Sequence, residues 1–274
     1  MEQHLFNGDS ADVLKELKDN SVDLLATDPP YGIEFMGKSW DKVLPPKEIW
    51  EECYRVLKPG SFIAVMSSPR SDVLYRMIKD LEDAGFDMSF SPILWTYHTG
   101  FPKASDVSKM IDKRGVDLGD KYEGSKLGFQ PKPAVEHIII GMKPHGSKSY
   151  IDNVLNFEAL PDNIKMTYPF IQVPKPAKKE KMLGTDKTIH PTIKPVKLMS
   201  YIITLFTREG DWVIDPFLGS GTTGLASKLI NRHFVGIERE KEYFDICEER
   251  LSVSREELVK FFKMEKDTQT KLEL

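Results

Sequence analysis

Short β-type runs alternate with amphipathic helical stretches in two separated parts of the sequence, residues 1–99 and 189–252. That alternation restricts the chain to a mostly parallel, doubly wound α/β sheet with crossover helices. In the first part Leu5-Phe6, Val22–Thr27, Phe62–Met66 and Ile93–Thr96 read as strands. Ser10 is placed to cap a helix running to about Leu17. Lys47–Leu57 carries Ile49, Trp50, Cys53, Val56 and Leu57 at helical spacing, with Lys58-Pro59-Gly60 as its stop, and Asp72–Ala84 is closed by Gly85. In the second part, helices at Val196–Thr207, Thr222–Ile230 and Glu240–Leu251 interleave with strands at Trp212–Ile214 and Phe234–Ile237. Residues 100–188 are rich in Gly, Pro and Lys, with one clear strand at His137–Ile140, and read as an inserted recognition region. Residues 253–274 are highly charged and are expected to form a fraying tail.

No apolar run approaches the roughly 20 residues that span a bilayer, and Met1-Glu2-Gln3-His4 lacks a basic stretch followed by an apolar one. A soluble, cytoplasmic protein without a membrane partner is expected. Cys53 and Cys247 each sit within a predicted helix without a Cys/His cluster, so neither a disulfide framework nor a metal site is expected. The net charge of −4 argues against a polyanion partner until its distribution is read. Residues 101–190 hold 15 basic and 11 acidic side chains, so this stretch is +4 and the remainder −8. The middle is the candidate nucleic-acid face, or simply a solvated lysine-rich surface.

Strand Val22–Thr27 delivers Asp28-Pro29-Pro30-Tyr31 to its carboxyl end, where ligands bind in open α/β sheets. Consecutive prolines fix φ and remove backbone donors, leaving a stiff, acceptor-rich turn beside an aromatic wall. An exocyclic amino group of adenine or cytosine offers two donors to such a pocket. The Asp28 carboxylate and the Pro29 carbonyl can accept them, and Tyr31 can stack on the ring. The amino nitrogen is a poor nucleophile because its lone pair is delocalised. Two acceptors draw it towards tetrahedral geometry and aim the lone pair at an electrophilic methyl group. A merely rigid turn is the alternative.

The second constellation is Asp215-Pro216-Phe217-Leu218-Gly219-Ser220-Gly221-Thr222-Thr223-Gly224, a strand end, a glycine-rich turn and a helix start, with Glu238 closing the next strand. Gly219, Gly221 and Gly224 satisfy the dinucleotide fingerprint, which makes a nicotinamide oxidoreductase the competitor. Asp215 would repel a pyrophosphate but would favour the ammonium of a methionine moiety, so charge selects S-adenosylmethionine.

Taken together, these motifs resemble those of the amino-methyltransferases of DNA, in the permuted order where the catalytic motif precedes the cofactor motif. Asn7-Gly8-Asp9, Asp28–Tyr31, Val56–Gly60, His190-Pro191-Thr192-Ile193-Lys194-Pro195 and Asp215–Thr223 occur in that order. The resemblance implies a circularly permuted, Rossmann-like S-adenosylmethionine-dependent methyltransferase fold acting on double-stranded DNA after base flipping. It places Asp9 near the cofactor adenine, Glu238 on its ribose, Asp215–Thr223 around its methionine part, and His190, Thr192 and Lys194 in a segment closing the pocket. Gly100–Lys103 and Lys132–Glu136 also resemble pieces of family members. Lys103, Lys175, Lys178, Lys179 and Lys181 are candidate DNA contacts, and the last four read equally as a mobile charged loop. Trp40, Tyr97 and His98 are candidates to line the base pocket or cofactor cleft, and Trp95 to sit in the core. Asp at the head of the motif favours adenine N6, with cytosine N4 as the alternative; RNA or protein amide methylation and a non-catalytic subunit stand further off. A cognate restriction endonuclease is a partner such enzymes can have, and oligomeric state is left open.

Overall fold

The computed structural model describes residues 1–33, 41, 43–97, 105–127, 134–159, 169–187 and 193–269, with side chains to residue 263. In chain order the elements begin β1 (Gln3–Asn7), α1 (Ser10–Lys15), β2 (Val22–Thr27), α2 (Lys47–Val56), β3 (Leu57–Ser67), α3 (Ser71–Asp83) and β4 (Ile93–Thr96). The middle of the chain holds β5 (Ser105–Asp106), α4 (Val107–Asp112), β6 (Lys126–Leu127), β7 (Val135–Met142), α5 (Tyr150–Phe157), β8 (Phe170–Gln172) and α6 (Lys178–Lys181). The chain continues through α7 (Val196–Phe206), β9 (Trp212–Asp215), α8 (Thr222–Leu229), β10 (His233–Glu238), α9 (Lys241–Leu251) and α10 (Arg255–Gln269).

Eight strands form one sheet in the order β1-β10-β9-β2-β3-β7-β4-β8. The neighbours from β1 to β3 pair in parallel, β7 runs antiparallel to both β3 and β4, and β8 pairs in parallel with β4. β5 and β6 form a separate small hairpin. All six residues of β2 are buried, as a central parallel strand covered on both faces requires. Leu24 and Ala26 face a layer containing Met199, Ile203, Leu225 and Ala226 of α7 and α8. Leu25 faces the opposite layer, with Leu14, Trp50, Cys53, Val56 and Met77 of α1, α2 and α3. Each of the fully buried Leu, Ile, Val and Met side chains contributes about 1.5–3 kcal/mol through removal from water.

Local readings differ from the structure in four places. Asp9, not Ser10, caps α1: its backbone is extended and its carboxylate accepts from Ala11 N at 2.9 Å. Lys58-Pro59-Gly60, expected as a stop, already belongs to β3, which follows α2 without a loop. The stretch read as an insertion supplies β7 and β8 to the central sheet. The stretch read as a charged tail contains α10, whose Leu258 and Phe262 are buried against the same layer as α7 and α8, because two apolar residues four apart give even a charged helix a docking edge. No helix among the described residues is long and apolar enough to cross a membrane.

Candidate active site

β2 lies between β9 and β3, and the chain builds outward from it in both directions, so the carboxyl ends of β2 and β9 flank a topological switch point. A cavity of about 770 Å³ opens there, lined by Asp9, Asp28–Tyr31, Asp215, Gly219 and Glu238 among others. The two constellations found in the sequence therefore face one space. They are joined directly: Thr27 Oγ1, at the end of β2, donates to Asp215 Oδ1 at 2.6 Å.

On the β9–β10 side the carboxylates are held by uncharged donors. Asp215 Oδ1 also accepts from Phe217 N at 3.0 Å, and Oδ2 from Thr223 Oγ1 at 2.6 Å. Burial nevertheless pushes the Asp215 carboxyl up to about 6 against the pull of Thr223, Thr27 and the Phe217 amide. Glu238 Oε2 accepts from Gly219 N and Oε1 from Glu240 N, each at 2.8 Å; burial raises its pKa, and the two amides oppose the shift. Gly221 begins α8 with φ +81°, and a Cβ there would lie 2.7 Å from Cys247 Sγ, so only glycine lets the turn pack on α9. Gly221 thus supports the wall from behind, whereas Pro216, Phe217, Gly219, Ser220, Thr222 and Thr223 line the cavity. Ser220 is fixed by the buried Arg250, whose Nη1 donates to Ser220 O at 2.5 Å and to Oγ at 3.1 Å; burial pulls that guanidinium down to about 10. Asp9 lines the same cavity, and Ser10 Oγ donates to Pro216 O at 2.5 Å.

This half fits S-adenosylmethionine. Thr222 Oγ1 is buried on the cavity wall without a hydrogen-bond partner among the described residues, which provides for a polar ligand end. A Cβ on Gly219 would meet nothing nearer than Phe217 O at 3.9 Å, so ligand atoms can approach the backbone there. Asp215 and Glu238 place two carboxylates on the same wall, acceptors of the kind a cationic amino end and sugar hydroxyls need.

On the β2–β7 side the groups are charged and shared. Asp28 Oδ1 accepts from the Tyr31 hydroxyl at 2.7 Å, and Oδ2 pairs with Lys194 Nζ. Lys194 Nζ is also 3.4 Å from Glu136 Oε2, and the Tyr31 hydroxyl lies 3.5 Å from the same oxygen. Glu136 Oε1 accepts from the Tyr97 hydroxyl at 3.2 Å. Burial draws the pKa of Lys194 down, but Asp28 and Glu136 outweigh it and the net shift is upward. Tyr31 is raised well above the ordinary phenol range by burial and then by Asp28 and Glu136. The turn is braced by Asp41, whose Oδ1 accepts from Tyr31 N at 2.6 Å and Gly32 N at 3.1 Å.

Lys194, expected in the segment that closes the cofactor pocket, lines the cavity and is held against the Asp-Pro-Pro-Tyr turn. Lys175 and Lys181 line the cavity, with Lys175 Nζ 4.3 Å over the Tyr97 ring, while Lys178 and Lys179 are exposed on α6. This lysine-rich stretch is docked rather than loose. Glu180 Oε1 accepts from Val196 N at 2.7 Å, Glu180 O accepts from Arg250 Nη2 at 3.4 Å, and Thr185 Oγ1 donates to Glu249 Oε2 at 2.5 Å. Trp95 is core, 1% exposed, with Nε1 donating to Val173 O at 2.8 Å. Trp40, His98, Lys103, His190 and Thr192 lie outside the described residues. Sequence reasoning gave no individual role to Glu136, Asp41, Thr27 or Arg250. For Glu136 the available signal was a carboxylate leading into the apolar run His137–Ile140.

The DNA methylase family model, which spans the N6 and N4 amino-methylating enzymes, matches residues 22–249. The chain belongs to this family. The type II methyltransferase M.HpaI of Haemophilus parainfluenzae is 32% identical over 262 residues, covering 92% of this chain and 74% of that protein. M.HindIII of Haemophilus influenzae is 29% identical, covering 92% and 96%, and M.BglII of Bacillus subtilis 31% identical, covering 91% and 70%. Among solved structures, the M1.HpyAVI–SAM complex matches with a TM-score of 0.60 and 26% identity over 92% of this chain and all of that one. The cytosine-N4-specific PvuII DNA methyltransferase matches in fold, with a TM-score of 0.62 and 21% identity over 96% and 92%. The methyltransferase reading of fold and motif order stands, and the nicotinamide reading of the glycine turn falls.

Proposed function

We propose that this chain transfers a methyl group from S-adenosylmethionine to the N6 amino group of adenine in a short sequence of duplex DNA. The observation that carries the reading is that the Asp28–Tyr31 turn and the Asp215–Glu238 carboxylates open on one cavity and are tied together through Thr27. The cofactor, when bound, supplies the electrophilic methyl group on its sulfonium. Asp215, with the Thr222 and Thr223 hydroxyls, would hold the amino-acid end, Glu238 the ribose, and Asp9 the neighbourhood of the adenine. Asp28 and the Pro29 carbonyl would accept the two protons of the target amino group, localising the nitrogen lone pair for in-line attack. The Tyr31 ring would stack on a base turned out of the helix at a cost of a few kcal/mol. Lys178 and Lys179, exposed beside the cavity, together with Lys175, Lys181 and Lys103, would neutralise backbone phosphates.

The choice of adenine rests on Asp at the head of the turn. The test is single-molecule modification mapping of plasmid DNA from cells expressing the chain, with Asp28→Ala in parallel. Methyladenine confined to one short motif and absent from the Asp28→Ala control is expected. Methylcytosine at that motif would reassign the base, and an unmodified plasmid would overturn the reading.

A further inference from the structure

Asp28 is asked to accept a hydrogen bond from a neutral amino group while a buried ammonium already pairs with it. Lys194 is only 7% exposed, and its Nζ contacts Asp28 Oδ2. An ammonium–carboxylate hydrogen bond is about twice as strong as one between neutral groups, so an unshared Lys194 would win the competition for that oxygen. The structure contains a second claimant. Glu136 Oε2 stands 3.4 Å from the same Nζ, on a side chain 15% exposed, and is fixed through Oε1 by the Tyr97 hydroxyl at 3.2 Å. Topology puts it there: β7 is antiparallel to β3 and β4, so its first residues stand at the edge where β2 and β4 end, with Glu136 paired to Trp95.

We infer that Glu136 is a positioning residue for methyl transfer: by drawing Lys194 towards itself, it leaves Asp28 oxygen lone pairs free for the target amino group. The inference rests on the methyltransferase reading above and adds a part to it. An ammonium has three protons and can serve both carboxylates at once, whereas each carboxylate has about four acceptor positions. Sharing therefore keeps Lys194 charged and buried without exhausting Asp28. The Tyr31 hydroxyl follows the same pattern, donating to Asp28 Oδ1 at 2.7 Å with Glu136 Oε2 at 3.5 Å. Two donors thus lie between two carboxylates, and a shift of either towards Glu136 releases an Asp28 oxygen. Groups acting as one network couple non-additively, which gives the inference a distinctive test.

The test is a double-substitution cycle read in two ways. In single-turnover methylation, Glu136→Gln leaves Lys194 wholly on Asp28; the rate is expected to fall about 10²-fold, as for loss of one pre-organised polar contact, with KM for DNA changed less than threefold. Removing the competing ammonium should undo part of this, so Glu136→Gln/Lys194→Met is expected to be faster than Glu136→Gln alone, and Glu136→Asp to lie between wild type and Glu136→Gln. A double variant as slow as Glu136→Gln, or slower, would overturn the proposal, because a carboxylate serving only the fold is not rescued by deleting its partner. The second reading is the urea midpoint of wild type, Glu136→Gln, Lys194→Met and the double variant without DNA or cofactor. Lys194→Met should shift the midpoint more in the wild-type background than beside Glu136→Gln, and equal shifts would show that Glu136 does not share Lys194. Failure of the wild-type chain to methylate any DNA would instead sink the underlying reading, while the midpoints still judge the pairing.

Discussion

In the β9–β10 half of the cleft, Asp215 and Glu238 are held by hydroxyls and backbone amides at 2.6–3.0 Å; in the β2–β7 half, Asp28 and Glu136 share one ammonium and the Tyr31 hydroxyl, and Tyr97 donates to Glu136 alone. Uncharged donors fix position without cancelling charge, so the cost of burial stays visible and Asp215 titrates near 6. A shared cation compensates charge but leaves each bond exchangeable. If the proposed function holds, the first half serves as a fixed receptor for the cofactor, and the second as a set of partners that can be redistributed when a base arrives.

The sharpest way to break this division is Asp28→Ala. Loss of the acceptor should lower the single-turnover rate by about 10²–10³-fold. Cofactor affinity measured by calorimetry should stay within threefold; a parallel loss of affinity would show that the halves are not separable. Asp215 offers the next largest effect. Its carboxylate is present above about pH 6 and is protonated below, so cofactor affinity should hold from pH 8 to 6 and then weaken, by up to tenfold per pH unit. Stability should move the other way. An acid whose pKa is raised on folding favours the folded state at pH below its ordinary value of 3.8 and loses that contribution as pH rises through about 6. Asp215→Asn should remove both dependences, and a cofactor-affinity profile in the variant that still bends near pH 6 would assign the titration elsewhere.

Thr27→Val cuts the bond between the halves and should cost about 1 kcal/mol in urea unfolding, the net worth of one buried hydrogen bond. A change within error would mean that the strands alone hold the two sites together. The smallest effect is expected on the outer face of α6. Lys178→Ala and Lys179→Ala should each flatten the dependence of log DNA affinity on log salt by about 0.9 if each lysine neutralises one phosphate. Cofactor affinity should not change. An unaltered slope would remove these lysines from the DNA face.

What could be read in the sequence was whatever a local rule determines. β2 followed by Asp-Pro-Pro-Tyr, and β9 followed by a glycine turn and α8, are continuous stretches in which strand, turn and chemistry are written in one line. Glu136 was not legible in this way. It begins a strand, and only the antiparallel pairing of β7 turns a strand's beginning towards the edge where its neighbours end. Lys194 was read with its own segment, but its partner Asp28 is 166 residues away. Asp9 takes the cap that Ser10 was expected to supply because both residue types can cap a helix, and Ser10 Oγ instead reaches Pro216 O, a contact across 206 residues. α10 was missed because charge dominates its composition while Leu258 and Phe262 alone decide its docking.

The pairing of β1 with β10 has a consequence for the order in which this protein can be made. Asn7 donates to Glu238 O across 231 residues, and among the described residues β10 is the one strand that pairs with β1. A ribosome adding roughly 5–20 residues per second leaves β1 without its neighbour for about 10–50 s. A somewhat shorter delay applies to one flank of β2, which waits for β9. The Asp28–Tyr31 turn is synthesised early, yet its sheet closes only after most of the chain has left the ribosome. In that interval the apolar strand Val22–Thr27 is the segment a chaperone would need to cover.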